Sequence, residues 1–239
     1  MIKFFRNIRQ NLLMENKTGK YFKYAIGEIL LVVIGILIAL SINNWNEKRK
    51  DNVLKQTFLL KLKSNLQDDI SKFKEVGETN KRYLMHIDSA LTILNNHESY
   101  NTTDLQRHLK YLNRSSRFNT NRIAFDNILS IGKVNIIEND AITEKLFSYY
   151  IKVEDEKEAV TEGMDAYNRN TFGPALLEFD YTSSSKFKTK ALSKYIESPF
   201  IINSLMLKKQ MITYFDKQTD NLLLNASEIK ELVSEELKK

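Results

Sequence analysis

The 239-residue chain has no cysteine, only two prolines and only seven glycines. The lack of cysteine excludes disulfides, thiolate metal sites and a cysteine nucleophile. Scarce proline and glycine leave little turn punctuation, which disfavours a many-stranded sandwich or barrel and favours long helices. Catalytic signatures are missing too: there is no P-loop, dinucleotide fingerprint, G-x-S-x-G or H-E-x-x-H. No zinc-finger spacing or RNP-type strand accompanies the formal charge of +6, so nucleic acid is not an expected partner, and a lipid surface is the simpler reading of the basic excess. A hydrophobic content of 42% excludes wholesale disorder.

One long apolar run is present, Tyr24 to Ile42, and it carries a single charge, Glu28. As a helix it is about 28 Å long, close to the bilayer hydrocarbon thickness of about 30 Å. Tyr21, Phe22 and Tyr24 flank one end and Trp45 the other, where amphipathic rings favour the headgroup level. A cleaved signal peptide is the main rival, since Ala39-Leu40-Ser41 loosely fits a cleavage site. The long leader, the length of the apolar run and the following Lys48-Arg49-Lys50 favour a retained span. Glu28 lies about one turn inside, near enough to the interface to snorkel. Gly27, Gly35 and Ala39 share one face, a small-residue stripe that points to a homo-oligomer or a partner membrane helix.

Residues 1–23 read as a basic tail in which Ile2, Phe5, Ile8 and Leu12 recur at helical spacing, suited to an anionic leaflet. Lysine and arginine are balanced across the span, so orientation rests on that tail and favours a cytoplasmic N-terminus. Residues 24–44 are the expected transmembrane helix and residues 45–239 a helical extramembrane domain. Leu54, Phe58, Leu62, Leu66, Ile70 and Phe73 predict a stalk ending near Gly77, with Asp68 and Asp69 off its apolar stripe. A second helix carries Leu84, Ile87, Leu91 and Leu94. Thr103-x-x-Gln106 predicts a capping box. Asn113 to Asn121, with Arg114, Ser115, Ser116 and Arg117, is polar and basic. A helix from about Arg122 is expected to stop at Gly132. Asn139 or Asp140 caps a long helix to about Tyr167, Gly173-Pro174 breaks the chain, and Ala175 to Phe179 is a brief helical piece. Asp180 to Ser185 is the most loop-like segment, and Ser198-Pro199 opens a last helix as N-cap and N1.

The segment YFKYAIGEILLVVIGILIALSINNWNEKRK, followed by Leu62 to Ile70, resembles an uncharacterised bacterial family of single-pass membrane proteins with a GEI-L-VVIGILIAL-INNWNE type anchor. Phe125 to Ile137 and Leu146 to Tyr150 resemble a second shared block. The resemblance implies a domain of unknown function and carries no catalytic, cofactor or metal residues across.

Three clusters were weighed for chemistry. His86, His97 and His108, spaced by eleven, are about 16 Å apart per interval if they share one helix, too far for one metal ion. Glu154, Glu158 and Glu162, with Asp155, Glu156 and Asp165, read as a solvated acidic face. Lys186, Lys188, Lys190 and Lys194 read as a solvated loop. The expected protein is all-α: an N-terminal single transmembrane helix in the inner membrane, continuing into an extramembrane multi-helix bundle. Its expected role is a non-catalytic interaction or scaffold module without cofactors, and the alternative is an extracytoplasmic sensor or ligand-binding domain working with a partner membrane protein.

Overall fold

The computed structural model describes residues 18–117, 119–177 and 192–239, and all regular structure among them is helical. Most of the basic tail, residues 1–17, lies outside the described residues, as do Asp180 to Ser185 and Lys186, Lys188 and Lys190. The chain separates into two compact units, the first ending at Lys55 and the second spanning Gln56–Lys239.

The first unit contains the start of helix α1, Thr18–Asn95. Among the described residues this is the one helix long and apolar enough to cross a membrane, and its apolar window is wholly unburied. Added Cβ atoms at Gly27 and Gly35 would meet nothing within 4 Å, so that face is open.

In the second unit α1 continues without interruption past Gly77, against the expected break. An interior glycine costs only about 1 kcal/mol of helix propensity, and tertiary packing outweighs it. The buried positions Leu62, Leu66, Asp69, Phe73, Val76, Asn80 and Ile87 step by three, four or seven along one face. Asp69, expected off the stripe, therefore lies on it. Helices α2, Thr102–Leu109, and α3, Ile123–Ser130, follow. The box that caps α2 is Asn101 with Asp104, two residues earlier than Thr103 and Gln106. Each side chain accepts the other's backbone N–H, and the extended dihedrals of Asn101 suit an N-cap. Helix α3 ends as expected in a Schellman turn: Gly132 has φ 66°, and Lys133 N–H donates to the Ile128 carbonyl at 3.2 Å.

Helix α4, Asp140–Glu158, is capped by the Asn139 side chain, which accepts from the Ile142 amide. The helix does not end there. It widens into a π-helical stretch at Ala159–Met164, passes through Asp165–Tyr167, widens again at Asn168–Phe172 and finishes at Gly173–Leu176. Gly173-Pro174 thus fails to break the chain. The π-turn ahead of it has already displaced the hydrogen-bond ladder, so a missing proline N–H costs less there. A Cβ on Gly173 would come 2.5 Å from the Asn168 carbonyl oxygen. Gly173→Ala is therefore expected to destabilise the domain by about 1–3 kcal/mol through overpacking, measured as a drop in the urea unfolding midpoint; an unchanged midpoint refutes the close approach.

The last long helix, α5, is Phe200–Glu236, with Pro199 at the N-cap rather than N1; Ser198 Oγ still accepts the Phe200 amide at 3.4 Å. Cross-helix bonds fix the topology. Lys230 reaches Gln67, Asp216 meets Asn80 and Lys209 pairs with Asp88, so α5 runs antiparallel to α1. Asn139 meets Glu236 and Lys145 pairs with Glu228, so α4 is antiparallel to α5 and parallel to α1. These three helices enclose one core that includes Leu62, Phe73, Leu146, Tyr149, Phe215 and Leu222.

Candidate anion-binding site

The segment between α2 and α3 is polar and carries no regular structure apart from turns and bends, yet it is tightly held. Ser116 Oγ donates to Asn80 Oδ1 at 2.6 Å, and Lys72 Nζ donates to the Asn119 carbonyl at 3.0 Å. The Asn121 amide donates to Asp69 Oδ1 at 2.7 Å, while Tyr149 Oη donates to Asp69 Oδ2 at 2.9 Å. Tyr150 Oη donates to the Asn121 carbonyl at 3.2 Å. The loop thus runs back along α1 with its backbone pinned. Burial pushes the Asp69 carboxyl up, against the lowering effect of the Asn121 N–H, Tyr149 and Lys72.

On its other side the loop faces the widened helix. Together they form a cavity of about 450 Å³ lined by Asn113, Arg114, Ser115, Arg117, Asp165, Asn168 and Arg169. Arg117 is paired with Asp165 at 2.5 Å. Arg114 and Arg169 have no carboxylate partner among the described residues. Three guanidinium groups against one carboxylate leave a cationic excess, and guanidinium forks match carboxylate and phosphate oxygens.

The cavity rests on an unusual floor. Lys208, on α5, is fully buried; its ammonium donates to Asn168 Oδ1 and lies 4.4 Å from the centre of the Phe172 ring. This contact fixes the amide's orientation, so Asn168 Nδ2 points to Ser115 Oγ at 2.6 Å. Burial lowers the Lys208 pKa to about 7, partly offset by Asp165. The π-helical stretch places Asn168 between Lys208 and the loop. Such bulges recur at functional sites, where the extra residue re-aims a side chain.

Arg114 also borders a second cavity, of about 660 Å³, with Arg82, Tyr83, His86, Lys110 and Tyr111. There the premise about the histidines fails, because they do not share one helix. His86 on α1 and His108 on α2 bring their Nδ1 atoms within 3.1 Å, and His86 stacks on Tyr111 at 4.5 Å. His97 lies in the 3-10 turn His97–Ser99 between the two helices. Burial, the other ring and Lys110 lower the His86 pKa; burial and Arg107 lower that of His108, against Asp104.

Glu154, Asp155, Glu158 and Glu162 are exposed, as an acidic face requires, but Glu156 is buried and Asp165 is turned into the cavity. Glu156 faces inward because it continues the α4 stripe of Tyr149 and Val153, and burial raises its pKa. Lys194 pairs with Glu197 at 2.7 Å on the surface. No group of three or more potential metal-ligating side chains occurs among the described residues.

Residues 28–101 match the model of a family described as a family of unknown function, DUF6090, so the chain carries the domain of that uncharacterised family. The match takes in most of α1 and ends at the Asn101 cap. The second resembling block, from Phe125 to Tyr150, and the arginine cavity lie beyond it. No curated protein and no solved structure matches the chain.

Proposed function

We propose that this is a single-pass protein of the inner membrane, held by the helix through Tyr24–Ile42 with its N-terminus in the cytoplasm, whose helical domain is a non-catalytic module that binds an anionic ligand. The unburied apolar window of α1 supports the anchor. The observation that carries the ligand is Arg114 and Arg169, two guanidinium groups without carboxylate partners, converging with Arg117 on one cavity. The pinned loop and the Lys208–Asn168 floor hold them there before any ligand arrives, which lowers the ordering cost of binding. A short carboxylate or phosphate fits this donor set.

The test is calorimetric titration of the detergent-solubilised full chain with citrate and with inorganic phosphate. Each lost charge-assisted contact is worth about 1.5–3 kcal/mol, so Arg114→Ala and Arg169→Ala are each expected to weaken binding about tenfold or more. Asp165→Asn frees Arg117 and is expected to strengthen it. Unchanged affinity in both arginine variants overturns the reading. Release of the protein from membranes by alkaline carbonate overturns the anchor.

A further inference from the structure

We propose that His86 and His108 together bind one divalent transition-metal ion through their Nδ1 atoms. The two rings come from separate helices, α1 and α2, and present the same nitrogen to each other at 3.1 Å. Zinc–imidazole bonds are about 2.0–2.1 Å long, so two ligands about 90–110° apart on one ion hold their nitrogens roughly 2.9–3.4 Å apart. The observed separation falls inside that window. The ring centroids are 5.3 Å apart and the planes are inclined at 57°, so an ion enters after a small pivot of the rings toward a common point.

Other contacts hold the pair in place. His86 is stacked on Tyr111, and Asn101 and Asp104 cap the helix that carries His108. Burial and cationic neighbours keep both rings toward the neutral form that metals require. His86 borders the 660 Å³ cavity, which gives an ion a route in and leaves room for other ligands. No third carboxylate, thiolate or imidazole joins the two rings among the described residues, so water or an anion fills the remaining positions. Arg82, Lys110 and Arg114 on the cavity wall favour an anion there.

This donor set also selects the metal. Magnesium and calcium need several oxygen ligands, and the basic surroundings repel them. Imidazole suits zinc, nickel and copper, with Cu(II) tightest in the usual order.

The test uses the full chain in detergent, free of chelator, titrated with CuCl2 and with ZnCl2. One equivalent is expected to bind, with a rise in unfolding temperature and, for copper, a visible absorption band. His86→Ala and His108→Ala are each expected to weaken binding about tenfold or more, while His97→Ala leaves it unchanged. Circular dichroism checks that the variants remain folded, and His108→Gln provides a second variant should alanine unfold the domain. No binding of either ion, or binding that survives loss of both residues, overturns the proposal.

Discussion

Asp69→Ala is expected to destabilise the helical domain by about 3–5 kcal/mol. The carboxylate is fully buried and accepts from both Tyr149 Oη and the Asn121 amide. Alanine strands both donors, and an unsatisfied buried donor costs about 1–3 kcal/mol, more when its lost partner was charged. For a domain of this size the unfolding temperature should fall by roughly 10 °C. Tyr149→Phe removes one donor and leaves the Asn121 contact, so a loss of about 1–2 kcal/mol is expected. Because the two residues share one bond, the double variant should cost less than the two single losses combined. Thermal and urea unfolding of the four proteins measures this. A loss below about 1 kcal/mol in Asp69→Ala would show that the loop is not held through this carboxylate.

Lys208 should impose a pH dependence of the opposite kind to an ordinary salt bridge. In the unfolded chain its amine titrates near 10.5, and in the folded protein near 7. Between those values the unfolded state binds more protons, so stability rises with pH across the window and the cost of the buried amine is fully present below about 7. Each pH step inside the window is worth about 1.4 kcal/mol, so from pH 7 to pH 9 Lys208 should add about 2–3 kcal/mol. Lys208→Met removes the titration. It also orphans Asn168 Oδ1, but that loss does not vary with pH, so the slope and not the absolute stability is diagnostic. Denaturant unfolding of both proteins at pH 7, 8 and 9 stays below the range where unfolded tyrosines ionise. Parallel stability curves for the two proteins would mean that Lys208 is charged throughout.

The helical class, the unburied apolar run and most helix ends were legible because they rest on local signals. The αL glycine at 132 and the asparagine cap at 139 each act within one turn of chain. The stripes were legible only in part. Asp69 and Lys208 both sit on buried stripes, but a sequence reading that sorts apolar residues from charged ones sends them to solvent. Their spacing was the available signal: Lys208 lies four residues after Ser204 and four before Ile212, both buried. The arginine cavity was not legible, because Arg169 approaches Arg114 only through two π-helical stretches that no local pattern announces. The histidine pair was missed for a simpler reason, the premise that His86 and His108 occupy one rod.

The two widened stretches at Ala159–Met164 and Asn168–Phe172 bear on how this region tolerates insertion and deletion. A π-turn holds about one residue more than an α-turn, so excising a residue from the first stretch would regularise the helix and swing everything after it by roughly 100°. Asn168 would then leave Lys208 while Arg169 left the cavity, although no side chain in either place had been altered. Length in this region is therefore as constrained as residue identity: sequences that align here without gaps can keep the pocket, and those one residue shorter cannot.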